Sequence, residues 1–235
     1  MPILAIDTAT LVSSVALATV DNLLAEITLQ TKKTHSELLM PHIAKLMNMA
    51  QVAKSDLKGV AVSIGPGSFT GLRIGLSTAK TLAYALHIPV VGVPTLAAMA
   101  YGCPVPGVIL APMLDAQKGN VYQALFEWHQ GELKEIQPAI VTEVTAALES
   151  LSQQERPVIV MGESAVMYRD KIEQIGKNLI LAAPHVVIQR ASSVAGLGYK
   201  LIKQGVRHDV MGLEPLYIRR SEAEVLWECR HGVAK

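Results

Sequence analysis

The stretch that most constrains this chain spans residues 65–86, where a glycine-rich turn runs into a helical pattern. The apolar run before it, residues 59–64, predicts a buried strand. The Gly-Pro-Gly sequence at 65–67 predicts a sharp turn, and Ser68 or Thr70 is placed to cap the helix that follows. These parts together predict a cluster of backbone N–H groups at the positive end of a helix, where an anion could bind.

The predicted helix also carries a stripe of small residues. Gly71, Gly75, Ala79 and Ala83 recur at every fourth position, so one face of the helix has almost no side chains. A glycine inside a helix costs about 1 kcal/mol relative to alanine. The stripe therefore predicts that another part of the protein, or a partner, approaches this helix closely.

A second helix is predicted before the strand, and it is rich in methionine. Leu39, Ile43 and Met47 share one face of it, and Met40 and Met49 add further flexible apolar side chains. Methionine suits an adaptable contact surface. Ordinary filling of the core is the alternative interpretation.

Composition excludes several broad classes of protein. Of the 235 residues, 50% are apolar and only 17% are charged, which is typical of a well-buried α/β protein and not of a disordered one. The formal net charge of +1 gives no general attraction to nucleic acid. Two isolated cysteines, Cys103 and Cys229, predict neither a disulfide framework nor a zinc site, so we expect a reducing cytoplasm. We also expect no signal peptide and no membrane span.

The order of predicted elements suggests an internal duplication. Three short strands and a helix open the chain, and a similar pattern begins again at residue 108. Two prolines and two glycines at residues 102–107 mark the boundary between the two blocks. We predict an α/β fold with two tandem domains, each a mixed five-stranded sheet with flanking helices. The predicted divisions are residues 1–103, residues 104–210, and a tail at 211–235 that packs back on the body.

This layout resembles the actin, hexokinase and Hsp70 ATPase superfamily, because an aspartate turn follows the first strand of each block. Four segments show a closer resemblance, to the bacterial TsaB family. This family, also called YeaZ, serves in tRNA threonylcarbamoyladenosine biosynthesis. The four segments span nearly the whole chain. The glycine-rich segment is a specific motif of this family, although the catalytic paralogue TsaD carries a related form of that motif. The segments are residues 3–10, residues 65–75, Asp115 with residues 119–122, and residues 215–219.

The resemblance implies a non-catalytic subunit. TsaD-like proteins transfer threonylcarbamoyl to adenosine 37 of tRNAs that read codons starting with A, and TsaB-like proteins pair with them through their first two helices. A small ATPase, TsaE, joins the assembly, and tRNA contact by this chain is expected to be indirect or weak. In isolation we expect a homodimer through the same helices. The residues that map to the partner interface are Leu39, Ile43, Met47, Gly71, Ile74, Gly75, Thr78, Ala79, Leu82 and Ala83.

The superfamily also implies a nucleotide, but the turn after the first strand has no glycine where a backbone must approach phosphate. We therefore expect no cofactor of the chain's own, and a nucleotide shared across the partner interface stays an open alternative. A second alternative is an ATP-dependent enzyme of the same superfamily that acts on its own, with magnesium-dependent ATP affinity lost on Asp7→Ala. The candidate nucleotide or anion site comprises Asp7, Thr8, Gly65, Gly67, Ser68 and Thr70.

Neither a metal site nor a covalent nucleophile is predicted. His35 and His42 are seven residues apart, with Pro41 between them and no carboxylate at ligand spacing. Ser68 lies in a Gly-Ser-Phe sequence that lacks the glycine pattern of a nucleophile elbow.

Overall fold

The structure is a computed structural model that describes residues 1–30 and 34–219. These residues form two mixed five-stranded sheets with helices on their faces, which confirms the predicted α/β fold class. The strands of the first sheet are β1 (Ile3–Asp7), β2 (Val12–Ala18), β3 (Leu23–Gln30), β4 (Val60–Gly65) and β5 (Val90–Pro94). The strands of the second sheet are β6 (Ile109–Asp115), β7 (Asn120–His129), β8 (Glu132–Glu143), β9 (Val158–Met161) and β10 (Leu179–Leu181).

The two sheets share one topology. The strand order is β3-β2-β1-β4-β5 in the first sheet and β8-β7-β6-β9-β10 in the second. The central strand β1 pairs antiparallel with β2 and parallel with β4. The central strand β6 likewise pairs antiparallel with β7 and parallel with β9. The repeated pattern in the sequence thus corresponds to a repeated strand arrangement.

Strands β1 and β2 are buried on both sides because helices cover both faces of the first sheet. The α-helices of the described residues are α1 (His35–Met49), α2 (Phe69–Leu86), α3 (Thr95–Tyr101), α4 (Val144–Ser152), α5 (Glu163–Met167), α6 (Arg169–Ile175), α7 (Pro184–Val187) and α8 (Ala191–Lys203). Helices α1 and α2 pack on one face of the first sheet, and α4 and α6 pack on the second sheet. No helix within the described ranges is long and apolar enough to cross a membrane.

The remaining long helix, α8, corrects the predicted domain content. The sequence assigns it to residues 104–210, but it packs on the free face of the first sheet, where Val194 and Ala195 join a cluster with Ile3 and Val91. In the other direction, Leu96 and Met99 of α3 pack against residues of the second sheet. Periodicity predicts that a helix has an apolar face, but it does not predict which sheet that face covers.

Hydrogen bonds fix α8 to the first sheet at the start of the helix. The Ala191 N–H donates to Ser14 Oγ at 2.8 Å, and Glu26 Oε1 accepts from the Ser192 N–H at 3.0 Å. The other oxygen of Glu26 forms an ion pair with Arg190. A carboxylate at a helix N-terminus is stabilising because it accepts from N–H groups that have no partner inside the helix.

The segment after α8 returns to the first sheet and then reaches the second. Leu213 is buried in the core, and the Leu216 N–H donates to the Ile64 carbonyl at 2.7 Å. The Arg219 guanidinium donates to the Ala116 carbonyl, at the end of β6. We call residues 211–219 the C-terminal strap. The rest of the predicted tail, residues 220–235, lies outside the described residues, as does Cys229.

The Glu26 contact generates a prediction for stability. Glu26→Ala is expected to lower the free energy of unfolding by about 2 kcal/mol, because the partly buried N–H and hydroxyl of Ser192 and the Arg190 guanidinium all lose their acceptor. Urea unfolding followed by circular dichroism measures the change. Glu132→Ala is the control, since its carboxylate forms an exposed ion pair with Lys200 and should contribute about 0.5 kcal/mol or less. Equal losses in the two variants would contradict the role given to Glu26.

Candidate functional site

The turn that follows β1, residues 7–10, is where the aspartate motif and the glycine-rich motif meet. Asp7 Oδ1 accepts a hydrogen bond from the Ala9 N–H at 3.0 Å, which shapes the turn. The Ser68 N–H donates to the Ala9 carbonyl at 2.6 Å. The two motifs that the sequence placed far apart are therefore bonded to each other.

Both N-terminal helices hold this turn. Thr8 Oγ1 donates to the Gly71 carbonyl of α2 at 2.7 Å. The His35 Nε2 atom of α1 lies 2.6 Å from the Thr10 carbonyl. Sequence reasoning considered His35 only as a metal ligand, and its contact with Thr10 depends on a fold that the sequence does not display.

The glycines of α2 are explained by this contact. A Cβ atom on Gly71 would lie 2.1 Å from the Thr8 carbonyl oxygen, and one on Gly75 would lie 2.2 Å from Thr8 Oγ1. Ala79 and Ala83 continue the stripe into the core and are buried. The predicted close approach is present, but the approaching group is the chain's own turn. The structure thus corrects the assignment of these four residues to a partner interface.

The other predicted interface residues divide into two groups. Leu39 and Ile43 are buried against the first sheet, because the apolar face of an amphipathic helix covers its own core, and this part of the prediction is also corrected. Met47, Ile74, Thr78 and Leu82 are partly exposed, so they stay predicted interface residues.

The outer faces of α1 and α2 carry further apolar side chains, of which the sequence pattern had suggested a contact role for Met40 and Met49 but not for Phe69 and Tyr84. Met49 of α1 is 67% exposed and Tyr84 of α2 is 63% exposed. Met40 and Phe69 are exposed as well. Large apolar side chains on the outward side of an amphipathic helix were the available signal for them.

The predicted anion cradle is occupied by the protein itself. A Cβ atom on Gly67 would lie 2.2 Å from the Ala9 carbonyl oxygen, so the turn fills the space beside it. The Gly65 N–H donates to Thr95 Oγ1 at 3.1 Å, and the Gly71 N–H donates to Ser68 Oγ at 3.2 Å. Ser68 and Thr70 are exposed, but the N–H groups of Gly65, Ser68 and Gly71 already have partners within the protein. The residues of this cradle do not fit a nucleotide phosphate.

Asp7 is the unusual electrostatic feature of the turn. Its side chain is buried, and its Oδ2 atom has no hydrogen-bond partner within the described residues. Burial raises the pKa of Asp7 to about 6, while the Ala9 N–H and the neighbouring Ser63 hydroxyl act in the opposite direction.

A second aspartate turn follows β6 in the equivalent place. Asp115 Oδ1 accepts from the Gln117 N–H at 2.9 Å, and the Asp115 N–H lies 3.4 Å from Glu163 Oε1. Burial, together with the nearby Asp115 charge, raises the pKa of Glu163. Across residues 1–30 and 34–219, no three His, Cys, Asp or Glu side chains group together as metal ligands.

The contact between Gly75 and Thr8 generates a prediction for stability that is opposite to what helix propensity alone would give. Alanine is favoured over glycine in a helix by about 1 kcal/mol, yet Gly75→Ala is expected to destabilise the fold by about 2 kcal/mol because the new methyl group overlaps Thr8. Chemical denaturation measures the effect, and Ser77→Ala on the exposed side of α2 is the matched control. A Gly75→Ala variant as stable as the natural protein would show that the turn does not press on α2.

The environment of Asp7 generates a pH-dependent prediction. Since its pKa is about 6 in the folded state and near 3.8 when unfolded, the group favours folding below about pH 4, and this advantage is lost as the pH rises to about 6. Asp7→Asn keeps an acceptor for Ala9 and cannot ionise. The variant should gain stability relative to the natural protein across this range, by up to about 3 kcal/mol.

Thermal unfolding between pH 4 and pH 8 tests this expectation. Asp21→Asn, which removes an exposed carboxylate of the turn between β2 and β3, is the control. Parallel stability curves for Asp7→Asn and the natural protein would contradict a buried, destabilised carboxylate.

The chain matches known proteins over most of its length. A family model described as "TsaD: tRNA N6-adenosine threonylcarbamoyltransferase" matches residues 22–227. The tRNA threonylcarbamoyladenosine biosynthesis protein TsaB of Bacillus subtilis is 37% identical over 97% of this chain and 98% of its own length. The protein of the same name from Escherichia coli is 30% identical over 95% of this chain and 96% of its own length.

Solved structures show the same fold. YeaZ from Pseudomonas aeruginosa superposes with a TM-score of 0.74 at 25% identity, covering 92% of this chain and 99% of that protein. A second Pseudomonas aeruginosa structure, described as an uncharacterized protein with similarity to peptidase YEAZ, gives a TM-score of 0.77 at 24% identity and covers 93% and 99% of the two chains. The chain therefore belongs to the TsaB (YeaZ) family, within the wider group that the TsaD family model describes.

Proposed function

We propose that this chain is a non-catalytic subunit of the assembly that forms N6-threonylcarbamoyladenosine in tRNA, and that it supports a TsaD-like catalytic paralogue. The names of its relatives support the pathway. One observation carries the accessory role: the turn at residues 7–10 fills the space beside Gly67 and Gly71, where the glycine-rich motif predicted an anion site. A chain whose own backbone occupies that space is better suited to bind a partner than to turn over a nucleotide.

The partner surface in this proposal is the outer side of α1 and α2. Ile74, Thr78 and Leu82 are partly exposed on α2, and Met47 is partly exposed on α1. Tyr84 is exposed on the same helix, and tyrosine is enriched among residues that dominate binding energy. An apolar surface of this kind is also expected to pair with a second copy when the paralogue is absent.

Three further parts of the proposal follow from the family. A TsaE-like ATPase joins the assembly, tRNA is contacted indirectly or weakly, and the complex works in the cytoplasm. Any nucleotide would lie at the interface with the paralogue, since the chain's own cradle is filled. These parts are expectations for the assembled complex.

A charge placed in the proposed surface tests the pairing. Thr78→Arg is expected to weaken binding to the paralogue by about a hundredfold or more, because a long charged side chain prevents close packing of helices. Light scattering after size-exclusion chromatography measures the mass of the chain alone and of its mixture with the paralogue. Ala146→Arg, on the exposed side of α4, is the matched control and should assemble normally.

The same mixtures separate the alternatives. A 1:1 complex that Thr78→Arg prevents and Ala146→Arg permits supports the subunit role. A natural chain that ignores the paralogue contradicts that role. Magnesium-dependent ATP binding by the isolated chain, lost on Asp7→Ala, would instead support an enzyme that acts on its own.

A further inference from the structure

Phe69, Arg73 and Tyr217 form an exposed stack that joins the start of α2 to the C-terminal strap. The rings of Phe69 and Tyr217 are stacked with centroids 5.1 Å apart. The Arg73 guanidinium carbon lies 3.7 Å from the centre of the Phe69 ring, and Arg73 Nε donates to the Tyr217 hydroxyl at 3.1 Å. The guanidinium is therefore held on two sides before any partner arrives.

The strap supports this arrangement from behind. Lys80 Nζ donates to the carbonyl of Met211 at 2.9 Å and to that of Leu213 at 3.2 Å. The Leu216 N–H donates to the Ile64 carbonyl, immediately before Tyr217. These bonds anchor the segment that carries Tyr217, so the stack costs little conformational entropy to use in binding.

Among residues 1–30 and 34–219, part of the Arg73 guanidinium is left without a hydrogen-bond partner. Its Nε atom is bonded to Tyr217, whereas its two terminal nitrogens make no hydrogen bond within the described residues. A guanidinium with two free nitrogens on one edge matches the two oxygens of a carboxylate. The strap itself carries one basic residue, Arg219, whose guanidinium is bonded to the Ala116 carbonyl, and one acidic residue, Glu214.

The surroundings favour a protein over RNA as the source of the anion. The Phe69 ring already contacts the Arg73 guanidinium and stacks on Tyr217, so these side chains are engaged with one another and not free to bind a base. Leu216 is 42% exposed and Phe69 is 37% exposed, which gives the guanidinium an apolar border. Aromatic and arginine side chains with such a border are typical of the centre of a protein interface.

We propose that the stack of Phe69, Arg73 and Tyr217 is a docking surface for a carboxylate side chain of the paralogous subunit, bordered by apolar residues on that subunit. The Arg73 terminal nitrogens bind the two carboxylate oxygens, and the apolar border excludes water from the pair. The C-terminal strap is thereby part of the interface, together with the outer face of α2. This inference rests on the proposed function, because it specifies how the partner is recognised.

Titration calorimetry of the full chain with the purified paralogue tests the inference. Arg73→Lys keeps the charge but loses the paired nitrogens, and it should weaken binding about tenfold or more. Tyr217→Phe keeps the ring but removes the acceptor for Nε, and it should give a smaller loss. Arg156→Lys, at the exposed ion pair with Glu127, is the matched control and should bind like the natural chain. Thermal unfolding verifies that each variant is folded.

The outcomes are distinguishable. Natural affinity for Arg73→Lys, with the natural chain binding and Thr78→Arg failing to bind, overturns the docking site and leaves the proposed function intact. A natural chain that does not bind the paralogue overturns both. Normal assembly of Arg73→Lys with weaker binding of tRNA by the assembled complex overturns the inference in favour of an RNA contact.

Discussion

The close approach of residues 7–10 to helix α2 is the contact on which the rest of the N-terminal half depends. Thr8 occupies the space left by Gly71 and Gly75, and the Ala9 carbonyl occupies the space beside Gly67. Because the turn is pressed against α2, that helix lies close over β1, and α1 is tied to the same turn through His35. One local constraint thus sets the positions of both helices whose outer faces form the proposed partner surface.

The same contact separates what the sequence could predict from what it could not. Glycines at every fourth position of α2 correctly predicted a close approach, since a helix retains such costly residues where backbone packing needs them. They did not identify the approaching group, because Thr8 is more than sixty residues away in the chain. Leu39 and Ile43 failed as interface residues for a related reason: an apolar helix face does not reveal whether it meets a sheet or a partner.

The fold itself was more predictable than the site. A pattern of short apolar strands bounded by turns occurs once in each half of the sequence. It predicted two mixed five-stranded sheets, which the structure confirms. The exchange of α3 and α8 between the halves was not predictable, since it depends on which sheet face is left uncovered. The stack of Phe69, Arg73 and Tyr217 was also hidden, because it joins two motifs from opposite ends of the sequence.

The position of α8 has a consequence for how the chain folds during synthesis. The first sheet is complete once β5 has left the ribosome, but the helix that covers one of its faces ends at Lys203. Until α8 emerges, the buried surface formed by Ile3, Ala5 and Val91 faces water. The N-terminal half therefore passes through a stage at which this apolar face is uncovered, and its native core closes only after residue 203 has emerged.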